Sequence, residues 1–264
     1  MSGYSDLLGS NPMLRLMSDV ISTKSADGVL ALSLNRPAKM NAITREMYGA
    51  LANGLNEAAG DFSIRAVILT SEGDHFTAGN DIKDFMEHPP TGDDSEVAKF
   101  LGSLLNFPKP LIGAIKGNAV GVGTTMLLHC DVVLASPTAN FSMPFASLGL
   151  VPEAGSSYLF PLLVGYQRAA RIFMTGESFG AEDAKEMGLV STIDVDVMAA
   201  AQKIASHIAE QPPQAIINTK ALLKASKHDA VAAVMKAEFQ LFAMALQSEE
   251  AMMAFMNFMS KKGK

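Results

Sequence analysis

The run LIGAIKGNAVGVGTTMLLHCDVVLA, residues 111–135, limits what this chain can become more than any other stretch. Pro108 and Pro110 interrupt whatever precedes it, and residues 111–115 then read as a short buried strand. A turn follows with glycines at 117, 121 and 123, then a helical run over 124–130 and a second strand over 131–135. Glycine tolerates positive φ and lets the backbone approach a neighbour closely. The helix behind such a turn aims its free N–H groups into the gap, as at helix ends that bind anions.

A strand, a glycine turn and a helix suit several chemistries. The dinucleotide fingerprint G-x-G-x-x-G fails, because Met126 stands where the third glycine belongs after Gly121 and Gly123. A phosphate-cradling loop fails too, since no G-K-[ST] closes the turn. Two readings remain: a hole of backbone N–H donors for a developing oxyanion, or a tight turn that packs a helix on a sheet.

At 264 residues the chain suits one large domain or a domain with an appendage, with roughly three quarters of its unfolded surface buried. Hydrophobic residues at 48% against 18% charged mark an ordered globular protein. A net charge of −6 argues against a nucleic-acid partner. The single cysteine, Cys130, excludes an internal disulfide and reads as an inert core thiol of a reducing compartment. The first twenty residues lack the basic flank and apolar core of a signal peptide, and the C-terminal SKKGK is no S-K-L address. No apolar run reaches the ~18 residues of a membrane span. A cytoplasmic protein with no membrane attachment is the expectation.

Along the chain, residues 1–19 carry weak signals and stay unassigned. Strands at 21–25 and 29–34 flank Asp27-Gly28, a hairpin signal. Val29, Ala31 and Ser33 alternate with Leu30, Leu32 and Leu34, as in a half-buried strand. Thr44 caps a helix expected to run to Ala59, with Gly60 as its stop. A strand at 65–70, a short helix opened by Asp81, a longer helix over 94–107 and a strand near 140–143 complete the first half. The alternation suggests stacked β-β-α turns with right-handed crossovers. Beyond Val151 short helices are expected at 158–164, 168–174 and 181–187, with a last strand over 189–193. From Val195 onward the chain reads as helical, broken at Pro212-Pro213 and near His228. Its methionines, Met235, Met244, Met252, Met253, Met256 and Met259, have the spacing of core or subunit contacts.

Four stretches together resemble the crotonase superfamily of enoyl-CoA hydratases and isomerases: NRPAKMNAI (35–43), FTAGNDIKDF (76–85), PLIGAIKGNAVGVG (110–123) and TGESFGAEDAKEMGLV (175–190). The resemblance implies an α/β fold, a crotonase-like spiral of β-β-α turns over residues 1–200, with a C-terminal helical oligomerisation region over 201–264. It implies a homo-trimer or a dimer of trimers, an acyl-CoA substrate, no metal and no cofactor beyond the coenzyme A of the substrate itself. In that family two backbone N–H groups clasp the thioester oxygen. Carried over, they belong to Asn80 and Val122, the latter where glycine is common. Ala38, Met40, Ala42, Ala78, Asp81 and Ile82 fall where the family holds the CoA moiety, while Gly121, Phe145 and Leu148 would line the acyl site.

Which reaction follows turns on carboxylates. Hydratases of the family use two glutamates at positions matching Thr125 and Phe145 here, and neither residue exchanges a proton near neutral pH. One carboxylate remains, Glu153, within MPFASLGLVPEAGSSYLF, a segment similar to the peroxisomal-type Δ3,Δ2-enoyl-CoA isomerases, in which the glutamate of P-E-x-x-S-S is the base. The resemblance therefore implies an isomerase that moves a 3-enoyl-CoA double bond into trans-2 conjugation during fatty-acid degradation. Glu153 would remove the α-proton and return it to the γ-carbon, helped by a pKa raised through an apolar wall including Phe145 and Leu148. Set against this, Glu153 could cap the following helix or lie exposed. Other polar residues read as structural: Asp81 as a helix cap, His129 as a core histidine and Asp131 at a strand start, with His75 on a solvated loop. No His, Cys or Asp cluster has metal-ligand spacing. Enoyl-CoA hydration, a dehalogenase using the same carboxylate position, and a non-catalytic acyl-CoA or RNA scaffold are the alternatives.

Overall fold

The computed structural model describes residues 14–17, 19–90, 92 and 94–262. A seven-stranded sheet runs β1 (Leu14–Met17), β2 (Val20–Lys24), β3 (Val29–Leu34), β4 (Ala66–Ser71), β5 (Leu111–Ile115), β7 (Val132–Ala135) and β10 (Thr192–Ile193) in that spatial order. The first two pairings are antiparallel and the rest parallel. The expected hairpin at Asp27-Gly28 forms, with Gly28 at φ 82°.

Strand alternation divides the interior into two cores. Leu30, Leu32, Leu34, Val67, Leu69, Leu111 and Ile115 face one side, where α1 (Arg45–Gly60) and α3 (Glu96–Asn106) pack. Val29, Ala66, Ile68, Ile112, Ala114 and Leu134 face the other, where α8 (Val197–Ala209) covers them through Ala201, Ala205 and Ala209. Alanines on both partners let the helix lie close to the strands. β3 is therefore buried on both faces, where alternation alone suggests a half-buried strand. The expected division at residue 200 falls inside α8.

A second, three-stranded sheet, β6 (Asn118–Val120), β8 (Asn140–Ser142) and β9 (Phe179–Gly180), stands beside the first. Two of its strands are too short to give a sequence signal. The helix expected over 124–130 begins earlier, as α4 (Val122–Thr125), and continues as a 3-10 turn over Met126–His129. Gly60 does not stop α1 but is its last residue, and Asp61 caps it by donating its N–H to Glu57. Thr44 and Asp81 are N-caps as expected; α3 is capped by Ser95 and starts at 96, not 94. The last strand shrinks to two residues.

The remaining elements are α2 (Ile82–Glu87), α5 (Ser156–Val164), α6 (Tyr166–Thr175), α7 (Ala181–Glu186), α9 (Pro213–Ala225), α10 (His228–Leu246) and α11 (Glu249–Lys262). The breaks at Pro212-Pro213 and before His228 occur, with a further one at residues 247–248. Lys220 of α9 ties this helical region to the sheet. Its Nζ lies 2.7 Å from Asp131 Oδ2 and donates to the Lys109 carbonyl, and the same Asp131 oxygen accepts the Leu111 N–H. Asp131 is thus structural, as expected. Of the tail methionines, Met235 packs against the core while Met244, Met252, Met253 and Met256 are exposed; the side chain of Met259 lies outside the described residues.

Candidate active site

Four stretches of backbone lie rung beside rung, the last two being strands of the second sheet. The 36–43 loop joins the 77–81 loop through Ala78 N–H to Met40 O, Ile43 N–H to Gly79 O and Asp81 N–H to Ile43 O, at 2.8–2.9 Å. Asn41, fully buried, locks the pair: its amide donates to the Glu72 and His75 carbonyls, and its own carbonyl accepts the Thr77 hydroxyl. The 77–81 loop joins β6 through Thr77 N–H to Asn118 O and Val120 N–H to Thr77 O. Finally Gly121 N–H reaches Ser142 O of β8. The structure thus brings Ala38, Met40, Ala42, Ala78, Asp81 and Ile82 together on one side. Met40 is 38% exposed and Ala38 is exposed, while Ile82 packs against the core.

The two proposed donors sit on adjacent rungs. In the parallel bridge between Ile43 and Asn80, the bonds to Ile43 use Gly79 O and Asp81 N, so the Asn80 N–H points to the other side, where residues 118–122 run. Val122 is the first residue of α4, and its N–H falls outside the helix ladder. Among the described residues neither N–H donates to a protein acceptor. Gly121 adopts φ 57°, ψ −118°, a conformation that all but requires glycine. Gly79, at φ 83°, lies so close to β6 that a Cβ there would stand 2.8 Å from the Val120 carbonyl oxygen. Phe145 is buried, its ring edge 4.0 Å from where a Cβ on Gly121 would be. Thr125 is fully buried with its hydroxyl turned to Val122 O.

Glu153 is 6% exposed, and its Oε1 has no hydrogen-bond partner among the described residues. It neither caps α5 nor faces solvent. Burial, reinforced by the neighbouring Glu238 carboxylate, raises its pKa to about 8. The expected direction holds, but the second cause is a carboxylate 85 positions away that sequence reading missed. It is Glu238 that caps: its Oε2 accepts the Gly155 N–H at 2.6 Å and its Oε1 the Ser157 N–H at 2.9 Å. His129 is a core histidine as expected, held neutral by burial at about 4, with Nε2 donating to the Ala154 carbonyl at 2.7 Å. Burial likewise lifts the Cys130 thiol to about 12.

Tyr48 is a second residue that sequence reading did not single out. Its buried hydroxyl hydrogen-bonds Asn80 Oδ1, and its ring packs 5.6 Å from that of Phe100. Burial and then the Glu153 charge raise its pKa well above the usual phenol value. A cavity of about 280 Å³ opens beside it, between α1, α2 and α3, lined by Arg45, Asp84, His88 and Glu96 as well as Phe85 and Val97. Leu148 is half-buried in a 3-10 turn over Ala146–Leu148. Asp81 pairs with Arg36 at 2.7 Å while capping α2, so its carboxylate is committed. Among the described residues no group of three or more His, Cys, Asp or Glu side chains could hold a metal ion, and no helix is long and apolar enough to cross a membrane.

Comparison with known proteins identifies the family. The profile of the enoyl-CoA hydratase/isomerase family matches residues 24–264. Human enoyl-CoA delta isomerase 2 is 34% identical over 249 residues, 91% of this chain but 63% of that protein, so the chain spans less than two thirds of this relative. The 2,3-dehydroadipyl-CoA hydratase of Escherichia coli K12 is 34% identical over 250 residues, covering 93% of this chain and 97% of that one. The crystal structure of an enoyl-CoA hydratase/isomerase from Pseudoalteromonas atlantica T6c superposes with a TM-score of 0.89 at 39% identity, over 92% of this chain and 98% of the other. This chain belongs to the enoyl-CoA hydratase/isomerase family of the crotonase superfamily.

Proposed function

We propose that the protein is an enoyl-CoA isomerase that converts a 3-enoyl-CoA to the trans-2-enoyl-CoA in fatty-acid degradation. The observation that carries this reading is the single buried, unpaired carboxylate of Glu153 in a family built to polarise thioesters. An unsatisfied buried carboxylate oxygen is costly to the fold, and such groups concentrate where chemistry needs them. The Asn80 and Val122 N–H groups donate to the thioester oxygen and stabilise the negative charge it takes on as the α-carbanion delocalises into a dienolate. Glu153 takes the α-proton and returns it to the γ-carbon, which leaves the double bond conjugated with the carbonyl. No cofactor beyond the coenzyme A of the substrate is required. The face from Ala38 to Ile82 receives the CoA moiety, and Phe145 and Leu148 line the acyl chain. A cytoplasmic location, which a single cysteine suits, completes the proposal. Leu222, Leu223, Leu241 and Met244, all more than half exposed on α9 and α10, support self-association through the C-terminal helices, which we take to give a trimer or a dimer of trimers.

Hydration is the second reading, favoured by the identity to the dehydroadipyl-CoA hydratase along nearly its whole length. Adding water needs one group to activate it and another to donate a proton. Among the described residues the one other carboxylate that bears on Glu153 is Glu238, and both its oxygens are bonded to backbone N–H groups. Assaying both reactions separates the two: 3-enoyl-CoA is expected to be isomerised at least about 100-fold faster than trans-2-enoyl-CoA is hydrated, the scale of one acid–base group. Hydration as fast as isomerisation would decide for the hydratase.

A further inference from the structure

The turn that bears Glu153 is held from behind by one helix. Val231, Met235, Glu238 and Phe242 recur at intervals of four, three and four and so share one face of α10. A Cβ placed on Gly155 would lie 2.9 Å from Val231 Cγ1 and 3.2 Å from Met235 Cγ, so the helix presses directly on the turn. One turn on, Glu238, 6% exposed, receives two N–H groups of that turn. A further turn on, Phe242 meets Phe85 edge to face at 6.0 Å, on the helix that begins just after Asn80. α10 therefore braces both the base and the donor loop.

We propose that Glu238 is a positioning residue for the reaction: its carboxylate accepts two backbone N–H groups of the 153–157 turn and so fixes the segment that carries Glu153. The inference rests on Glu153 being the base, and deepens that reading. The turn needs holding, because Ala154 takes φ 60°, a left-handed conformation unfavourable for a residue with a Cβ. Two charge-assisted bonds from Glu238 and one from His129 to the Ala154 carbonyl keep it there. The ionisable groups around Glu153 are Glu238 from α10 and Tyr48 from α1, with His129 and, behind it, Lys224 of α9 on the far side of the turn. Of these, Glu238 alone raises the proton affinity of Glu153 by its charge. A clamp that was only structural would hold the turn equally well without touching that affinity.

The test compares wild type, Glu238→Gln, Glu238→Asp and Glu153→Gln on a 3-enoyl-CoA across the pH range, with melting curves to verify folding. Glutamine keeps the volume and removes the charge, so the acid limb of the rate profile is expected to move down by about one pH unit, a usual size for a lost like-charge neighbour. Aspartate keeps the charge but falls one methylene short. Its limb is expected to stay in place while kcat drops about tenfold or more at little-changed KM, as for a misplaced catalytic group. An unmoved limb in Glu238→Gln, or wild-type kcat in Glu238→Asp, overturns the proposal. If Glu238→Gln does not fold, the kcat of Glu238→Asp decides. Activity surviving in Glu153→Gln would instead sink the assignment of the base, which separates the two failures.

Discussion

Glu153→Gln is expected to lower kcat for isomerisation by about 10³-fold, within the range that general acid–base groups contribute, with KM changed little because the amide matches the carboxyl in shape. The loss will not come from unfolding. Glu153 has a folded pKa of about 8 against an ordinary 4.5, so the native state holds a proton that the unfolded chain releases between those values. The sign is that of a raised carboxyl: its contribution is fully present below about 4.5 and is lost as pH rises through about 8. Wild type therefore carries a destabilising buried charge at alkaline pH, on the order of a few kcal/mol, from which the neutral glutamine is free. The variant is expected to melt higher than wild type above pH 8, and wild-type activity to rise with pH up to that value as the base deprotonates. An inactive variant that is also less stable at alkaline pH would mean that Glu153 holds the fold together rather than the proton.

Gly79→Ala is expected to cost about 100-fold in kcat, the effect of losing one oxyanion donor. The residue sits at φ 83° with a Cβ position 2.8 Å from a backbone oxygen of β6, and backbone cannot swing aside as a side-chain tip can. The 77–81 loop must move away from β6, carrying the Asn80 N–H off the oxygen that Val122 still contacts. Gly102→Ala is the matched control, on the α3 surface with open space around its Cβ position. Equal activity in the two variants would show that the separation of the 77–81 and 118–122 rungs does not matter to the reaction.

Features with local causes were legible in the sequence. Asp27-Gly28 specifies a hairpin, and Thr44 and Asp81 cap helices, each through residues within a few positions of one another; Glu153 was picked out by family resemblance instead. What was not legible depends on distant neighbours. β6 and β9 are two or three residues long and exist because the loops beside them pair. α4 starts at Val122 because Gly121 can take a conformation that lets the chain turn two residues sooner. The second cover on β3 comes from α8, some 165 positions on. Glu238 was invisible for a related reason: within Lys236-Ala237-Glu238 it reads as solvated, and only its place on the Val231–Met235–Phe242 face marks it as inward. That periodicity was the one signal available. Tyr48 shared the difficulty, since an aromatic on the buried face of α1 looks like packing until Asn80 is found against its hydroxyl.

The most direct test follows the proton itself. A 3-enoyl-CoA carrying deuterium on its α-carbon, turned over once in ordinary water, is expected to yield trans-2-enoyl-CoA with a substantial part of the label on the γ-carbon. One buried carboxyl both removes and delivers the hydrogen, with little chance to exchange it. A product whose γ-carbon carries hydrogen from the solvent alone would contradict a shuttle by Glu153.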